Sequence, residues 1–179
     1  MLAEPLPPSD LRFTTAQAHY ARGVAFAAKG DFAQAEVALD TVDVIIAEYE
    51  DGDPRTALQI AAEALAGEIA LRRGDGELAV RHFGKAADLE DGLTYNEPPT
   101  WYYPMRHSLG KALLAVGRPA EAEGVYLEDL DRFPNNGWSL FGLQQSLAAQ
   151  GKVEEAAAAE ARFAEAWKNA DVTLEASRF

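Results

Sequence analysis

Apolar and polar residues recur with a helical period along most of this chain. Near the C-terminal end Val153, Ala156, Phe163 and Trp167 share one face, while Glu154, Glu155, Arg162 and Lys168 lie largely elsewhere, a division that lays one side of a helix on a core. The same reading predicts helices at about 11–29, 32–49, 55–73, 76–90, 101–116, 119–133, 137–150 and 153–169. An irregular lead, 1–10, and a tail, 170–179, flank a helical domain at 11–169. The expected class is all-α, built from about four antiparallel helix pairs at about 11–50, 55–91, 101–134 and 137–169.

The pairs share a form. AKGDFAQAEVAL (28–39), RRGDGELAVRHF (72–83), AVGRPAEAEGVY (115–126) and AQGKVEEAAAAE (149–160) each close one helix on a glycine and open the next around an alanine. Gly30, Gly74, Gly117 and Gly151 are followed five residues later by Ala35, Ala79, Ala122 and Ala156. A glycine supplies the left-handed cap that ends a helix, and a small alanine lets the next helix pack closely against it. The glycine spacings are 44, 43 and 34 residues. A period of 34 residues with insertions of about ten and nine accounts for all three, and insertions in a repeat array fall in loops. Those loops are expected at EYEDGDPRTA (48–57) and around DGLTYNEPP with the WYY that follows.

On these residues the chain resembles the tetratricopeptide repeat family over residues 15–169. The family's small first-helix residue falls on Gly23, Gly67 and Gly110, with Gln144 departing. Its second-helix aromatic falls on Phe83 and Tyr126, with Leu39 and Glu160 departing, and its closing proline falls on Pro134 alone. The stretch from residue 92 onward also resembles the C-terminal part of larger bacterial members of uncharacterised function. The resemblance implies a right-handed α-solenoid whose first helices line a concave groove.

Composition narrows the functions open to such a scaffold. The formal charge is −13. Twelve acids face four bases over residues 1–71 and eleven face five over 119–179, while residues 72–118 carry six acids and seven bases. An acidic chain with a mildly basic centre argues against nucleic acid or an anionic membrane as partner. The chain has no cysteine, and His19, His82 and His107 are too far apart for a short metal motif. No run reaches the roughly 18 apolar residues of a membrane span, and MLAEPLPPSD lacks the features of a signal peptide, so a cytoplasmic location is expected. No nucleophile elbow, phosphate loop or paired-carboxylate motif is present; no catalytic residue, metal or cofactor is expected.

The reading left is a noncatalytic scaffold that binds a peptide or protein segment in its groove. Self-assembly, or capping of a longer repeat protein, is the alternative, and a small-molecule or acid–base site built on Glu97 and His107 is a more distant one. The resemblance and the register nominate Tyr20, Val24, Ala64, Glu68, Arg72, Tyr103, His107, Lys111, Trp138, Phe141 and Gln145 for the groove. The chaperone-type carboxylate clamp of the family is absent at its early positions, which are Tyr20 and Val24. Arg106 and Glu63 occupy equivalent places in successive repeats and are expected to form an ion pair, or else Arg106 serves a ligand. In YNEPPTWYYPMRHSLG, Pro104 belongs in a first helical turn, which starts the third pair near Trp101 to Tyr103. Trp101 and its neighbours then either seal the loop or form an aromatic wall for a partner. Leu174 and Phe179 are expected to cover apolar surface.

Overall fold

The computed structural model describes residues 2–178. Among them are eight α-helices and no strand: α1 (Arg12–Ala28), α2 (Phe32–Ile46), α3 (Asp53–Arg72), α4 (Gly76–Asp91), α5 (Met105–Ala115), α6 (Pro119–Arg132), α7 (Gly137–Ala149) and α8 (Val153–Trp167). They fall into two compact units, residues 1–103 and 104–179.

Within each unit the helices pair in chain order. In the first, α1 packs on α2 and α3, α2 on α3, and α3 on α4; in the second, α5 packs on α6 and α7, α6 on α7, and α7 on α8. All four turn glycines adopt positive φ, between 74° and 87°, and each turn is closed by a bond back into the helix it ends, such as Gly30 N–H to the Ala27 carbonyl. Asp31 and Asp75 then cap α2 and α4 by accepting from the Gln34 and Leu78 backbone N–H groups.

The helices approach closely because one partner is glycine and the other an apolar wedge. A Cβ on Gly23 would strike the Leu65 side chain, one on Gly67 the Phe83 ring, and one on either Gly110 or Gly142 the Tyr126 ring. Tyr126 thus fills the seam between α5 and α7, with its ring fully buried. Burial pushes its phenol well above the ordinary tyrosine range, with its hydrogen bond to Ser177 working the other way.

Two local expectations differ from the structure. The first insertion does not remain a loop: α3 starts at Asp53 and runs for 20 residues, so part of the extra length is helix. Conversely α5 starts at Met105 and not near Trp101. Proline disfavours a helical conformation in the residue before it, so Tyr103 stays outside, and Pro104 itself sits at the cap with φ −63° and ψ 125°.

Candidate functional site

The first helix of each unit carries a side chain three positions before its small glycine: Tyr20 before Gly23 on α1, and His107 before Gly110 on α5. These are equivalent places in the repeat, and both were expected to face an open groove. Both are buried, and each meets a non-helical segment of its own unit.

In the first unit the segment is the loop before α5. The Trp101 ring lies edge-on to Tyr20 at 5.6 Å between centroids, and Trp101 also touches Tyr102 at 5.1 Å and Tyr103 at 5.7 Å. The Tyr102 hydroxyl meets that of Tyr20 at 3.2 Å while its ring stays 68% exposed. Trp101 is buried, and its indole N–H finds no acceptor among the described residues. The loop is braced upstream as well: Thr94 donates to Asp53 at 3.4 Å, and Tyr95 donates to Glu97 at 2.6 Å. Trp101 and Tyr20 are thus packed against each other under the inserted loop.

On α3, Ala64 and Glu68 are buried and Arg72 is exposed, with its Nε 3.3 Å from the Glu68 carboxylate. Glu63 bonds to His82 Nδ1 at 2.7 Å and pairs with Lys85. Arg106, largely buried, places its Nε 3.3 Å from Glu128 of its own unit. Beside Glu63, a surface cleft of about 190 Å³ includes Asp43, Gln59 and Lys85 in its lining, below the roughly 300 Å³ where small-molecule sites begin. Burial, then Asp40 and Glu63, pushes the Asp43 carboxyl up.

In the second unit, side-chain chemistry around His107 ties three helices together. Asn136 caps α7 by accepting from the Trp138 N–H at 3.0 Å, which turns its amide NH2 toward His107 Nε2, also at 3.0 Å. The buried Asp129 carboxylate lies 3.4 Å from the same nitrogen and accepts from Ser139. Serine, histidine and aspartate are all present, yet the wiring is not that of a hydrolytic triad. The hydroxyl gives its proton to the carboxylate, not to the imidazole. Glu97 is engaged by Tyr95 in the other unit. No group of three or more acidic, histidine or cysteine side chains with metal-holding geometry occurs among the described residues.

The tail supplies what covers His107. Ser177, only 1% exposed, donates to the His107 carbonyl at 2.9 Å. With its one proton used, it accepts from the Tyr126 hydroxyl at 2.6 Å. Arg178 donates to the Ser108 hydroxyl at 2.5 Å. Upstream, the Trp167 indole donates to the Val172 carbonyl at 2.7 Å, and Leu174 is buried. Leu174 was singled out from sequence; Phe179, its expected companion, lies outside the described residues. Ser177, Arg178 and Ser108 were missed, since a hydroxyl in an irregular tail leaves no periodic signal.

The remaining nominated side chains are half-buried. Lys111 lies one turn beyond His107, and Gln145 is on α7. Trp138 packs edge-on to Trp167 at 5.5 Å, and Phe141 meets Phe163 at 5.3 Å, so both bind α7 to α8 as well as facing outward in part. No helix among the described residues is long and apolar enough to cross a membrane.

Comparison with known proteins agrees with this architecture. No curated protein matches the chain. Among solved structures, MamA AMB-1 aligns with a TM-score of 0.51 at 21% identity, covering 91% of this chain and 96% of that one. A mutant of MamA aligns at a TM-score of 0.39 and 20% identity, over 89% of this chain and 99% of its own. The first of these likenesses concerns the fold. The family model for the tetratricopeptide repeat matches residues 16–41 and 105–127, a segment on the first helix pair of each unit. A segment of each unit thus matches the tetratricopeptide-repeat model.

Proposed function

We propose that the protein is a noncatalytic scaffold whose first-helix faces receive extended segments of other proteins. The repeats supply the general role of a protein-interaction scaffold. What supports the finer reading is that each of these faces already holds a non-helical stretch of its own chain at the same repeat position, beside Tyr20 and beside His107. A surface that accommodates irregular backbone and side chains once has the shape to do so for a partner. The residues offered to that partner are the half-exposed Tyr103, Lys111, Trp138, Phe141 and Gln145, with Arg72 and the exposed ring of Tyr102. Tyr20, Glu68, Trp101, Arg106 and His107 serve beneath them as packing and positioning residues.

A displayed peptide library selected on the full chain tests this reading. Lys111→Glu with Gln145→Ala changes two half-exposed side chains and leaves the Trp138–Trp167 packing intact. Selected peptides that lose at least about tenfold in affinity for this variant place the partner on the α5–α7 face. Peptides that bind both proteins equally, or a library that yields none, contradict it.

Self-assembly is the second reading, favoured by α8, where Val153 is 74% exposed and Phe163 and Trp167 are only half-buried. A monomeric mass that is independent of concentration in light scattering removes it.

A further inference from the structure

We propose that the α5 face of the second unit is a docking site for an extended segment bearing a small hydroxyl followed by a basic residue, and that residues 171–178 occupy it in the resting protein as a displaceable internal ligand. This rests on the scaffold reading and names both the chemistry and the regulation of that face.

Four observations carry it. The contacts are those of a bound peptide: side-chain to main-chain at Ser177 to His107, and side-chain to side-chain at Tyr126 to Ser177 and Arg178 to Ser108. Each receptor group comes from the helical framework, with Tyr126 fixed in position because its ring is wedged between Gly110 and Gly142. The hydroxyl is read from both sides, once as donor and once as acceptor, so a residue without it leaves the Tyr126 phenol without its acceptor. The basic residue is engaged as well: Arg178 donates to Ser108, the α5 residue next to His107.

The tail is suited to exchange. The contacts described between residues 171–178 and the framework run through the side chains of Ser177 and Arg178. The segment is linked to α8 through a short connection braced by the Trp167–Val172 hydrogen bond. An attached ligand competes at a high effective concentration, on the order of millimolar for a short link. A partner segment must therefore bind more tightly than the free tail, or arrive when the tail is weakened.

The test uses a fluorescein-labelled synthetic peptide DVTLEASRF, the sequence of residues 171–179, and fluorescence anisotropy. It is titrated with the full chain and with full-length Ser177→Ala, Arg178→Ala and the double variant. Circular dichroism selects the variants that keep the native helix content. The expected result is roughly tenfold tighter peptide binding by the double variant than by the native chain, with each single variant between them. Adding Tyr126→Phe, which keeps the ring and removes the hydroxyl, lowers that gain by several-fold, as does a peptide carrying alanine in place of its serine. Equal binding by native chain and weakened variants overturns the proposal, as does a peptide whose affinity ignores its serine and Tyr126. No binding of the tail peptide to any variant, while library peptides still bind in a Lys111-dependent way, overturns the tail proposal and leaves the scaffold reading standing.

Discussion

Tyr20 and His107 occupy the same place in two repeats, and the chain covers both, but by different chemistry. Over Tyr20 the cover is a loop continuous with helices on both sides, carrying the rings of Trp101, Tyr102 and Tyr103. Over His107 it is the C-terminal tail, held by hydroxyls and a guanidinium. Rings buried on rings are displaced only by exposing apolar surface. Hydrogen bonds from a tethered segment are readily replaced by those of another segment or of water. The first cover thus behaves as part of the core, and the second as a ligand.

The largest effect that sharpens this contrast is Trp101→Ala. Removing a buried indole is expected to cost about 3 kcal/mol and to lower the Tm by roughly 6 °C or more, measured by calorimetry. A loss within 0.5 kcal/mol would mean that the loop is not sealed by its rings.

Next come the glycines under the wedges. Gly110→Ala and Gly67→Ala each drive a methyl into a buried ring, Tyr126 and Phe83 respectively, and each is expected to cost about 1–3 kcal/mol in chemical denaturation. Comparable losses show that the two units share one packing rule and differ only in their covers. Ser177→Ala ranks below, at about 1 kcal/mol by the same measurement, because it removes one hydroxyl that makes two bonds.

The smallest effect is the acid dependence. The carboxyls of Glu36, Glu48 and Glu121 are held below the usual range, chiefly by hydrogen bonds from Arg73, Arg12 and Arg118; Glu123 is held there by Lys152 and then Gln150. A carboxyl depressed by folding stabilises fully above its unfolded pKa, about 4.3 for glutamate, and that contribution is lost as the pH falls through the lower folded value. Asp43, pushed up, acts in the opposite sense. These groups are distributed over both units and three of the four glutamates are about half exposed to solvent, with Glu123 more covered, so a shallow loss of stability below about pH 4 is expected from both units alike. Circular dichroism melts between pH 3 and 7 read it, and a steep loss above pH 5 would point to a buried group instead.

The helical framework was legible in sequence because it rests on local rules. Gly30, Gly74, Gly117 and Gly151 mark the turns by their backbone conformation, and Phe83 and Tyr126 mark the seams by their size opposite glycine. Gly142 escaped notice because the family register points to Gln144, yet the Tyr126 ring lies two residues earlier. The nominated site was legible only as a face. Periodicity places Tyr20 and His107 on it, but it says nothing of what a loop or tail lays over them.

The most direct test is the backbone order of residues 171–178 in the native full chain, measured by 15N relaxation alongside residues 100–103. The account predicts order parameters near 0.85 for both segments, with only the tail falling below about 0.6 in the Ser177→Ala, Arg178→Ala chain. A tail already below about 0.6 in the native chain would contradict it, because a freely moving segment cannot be the resident ligand of the α5 face.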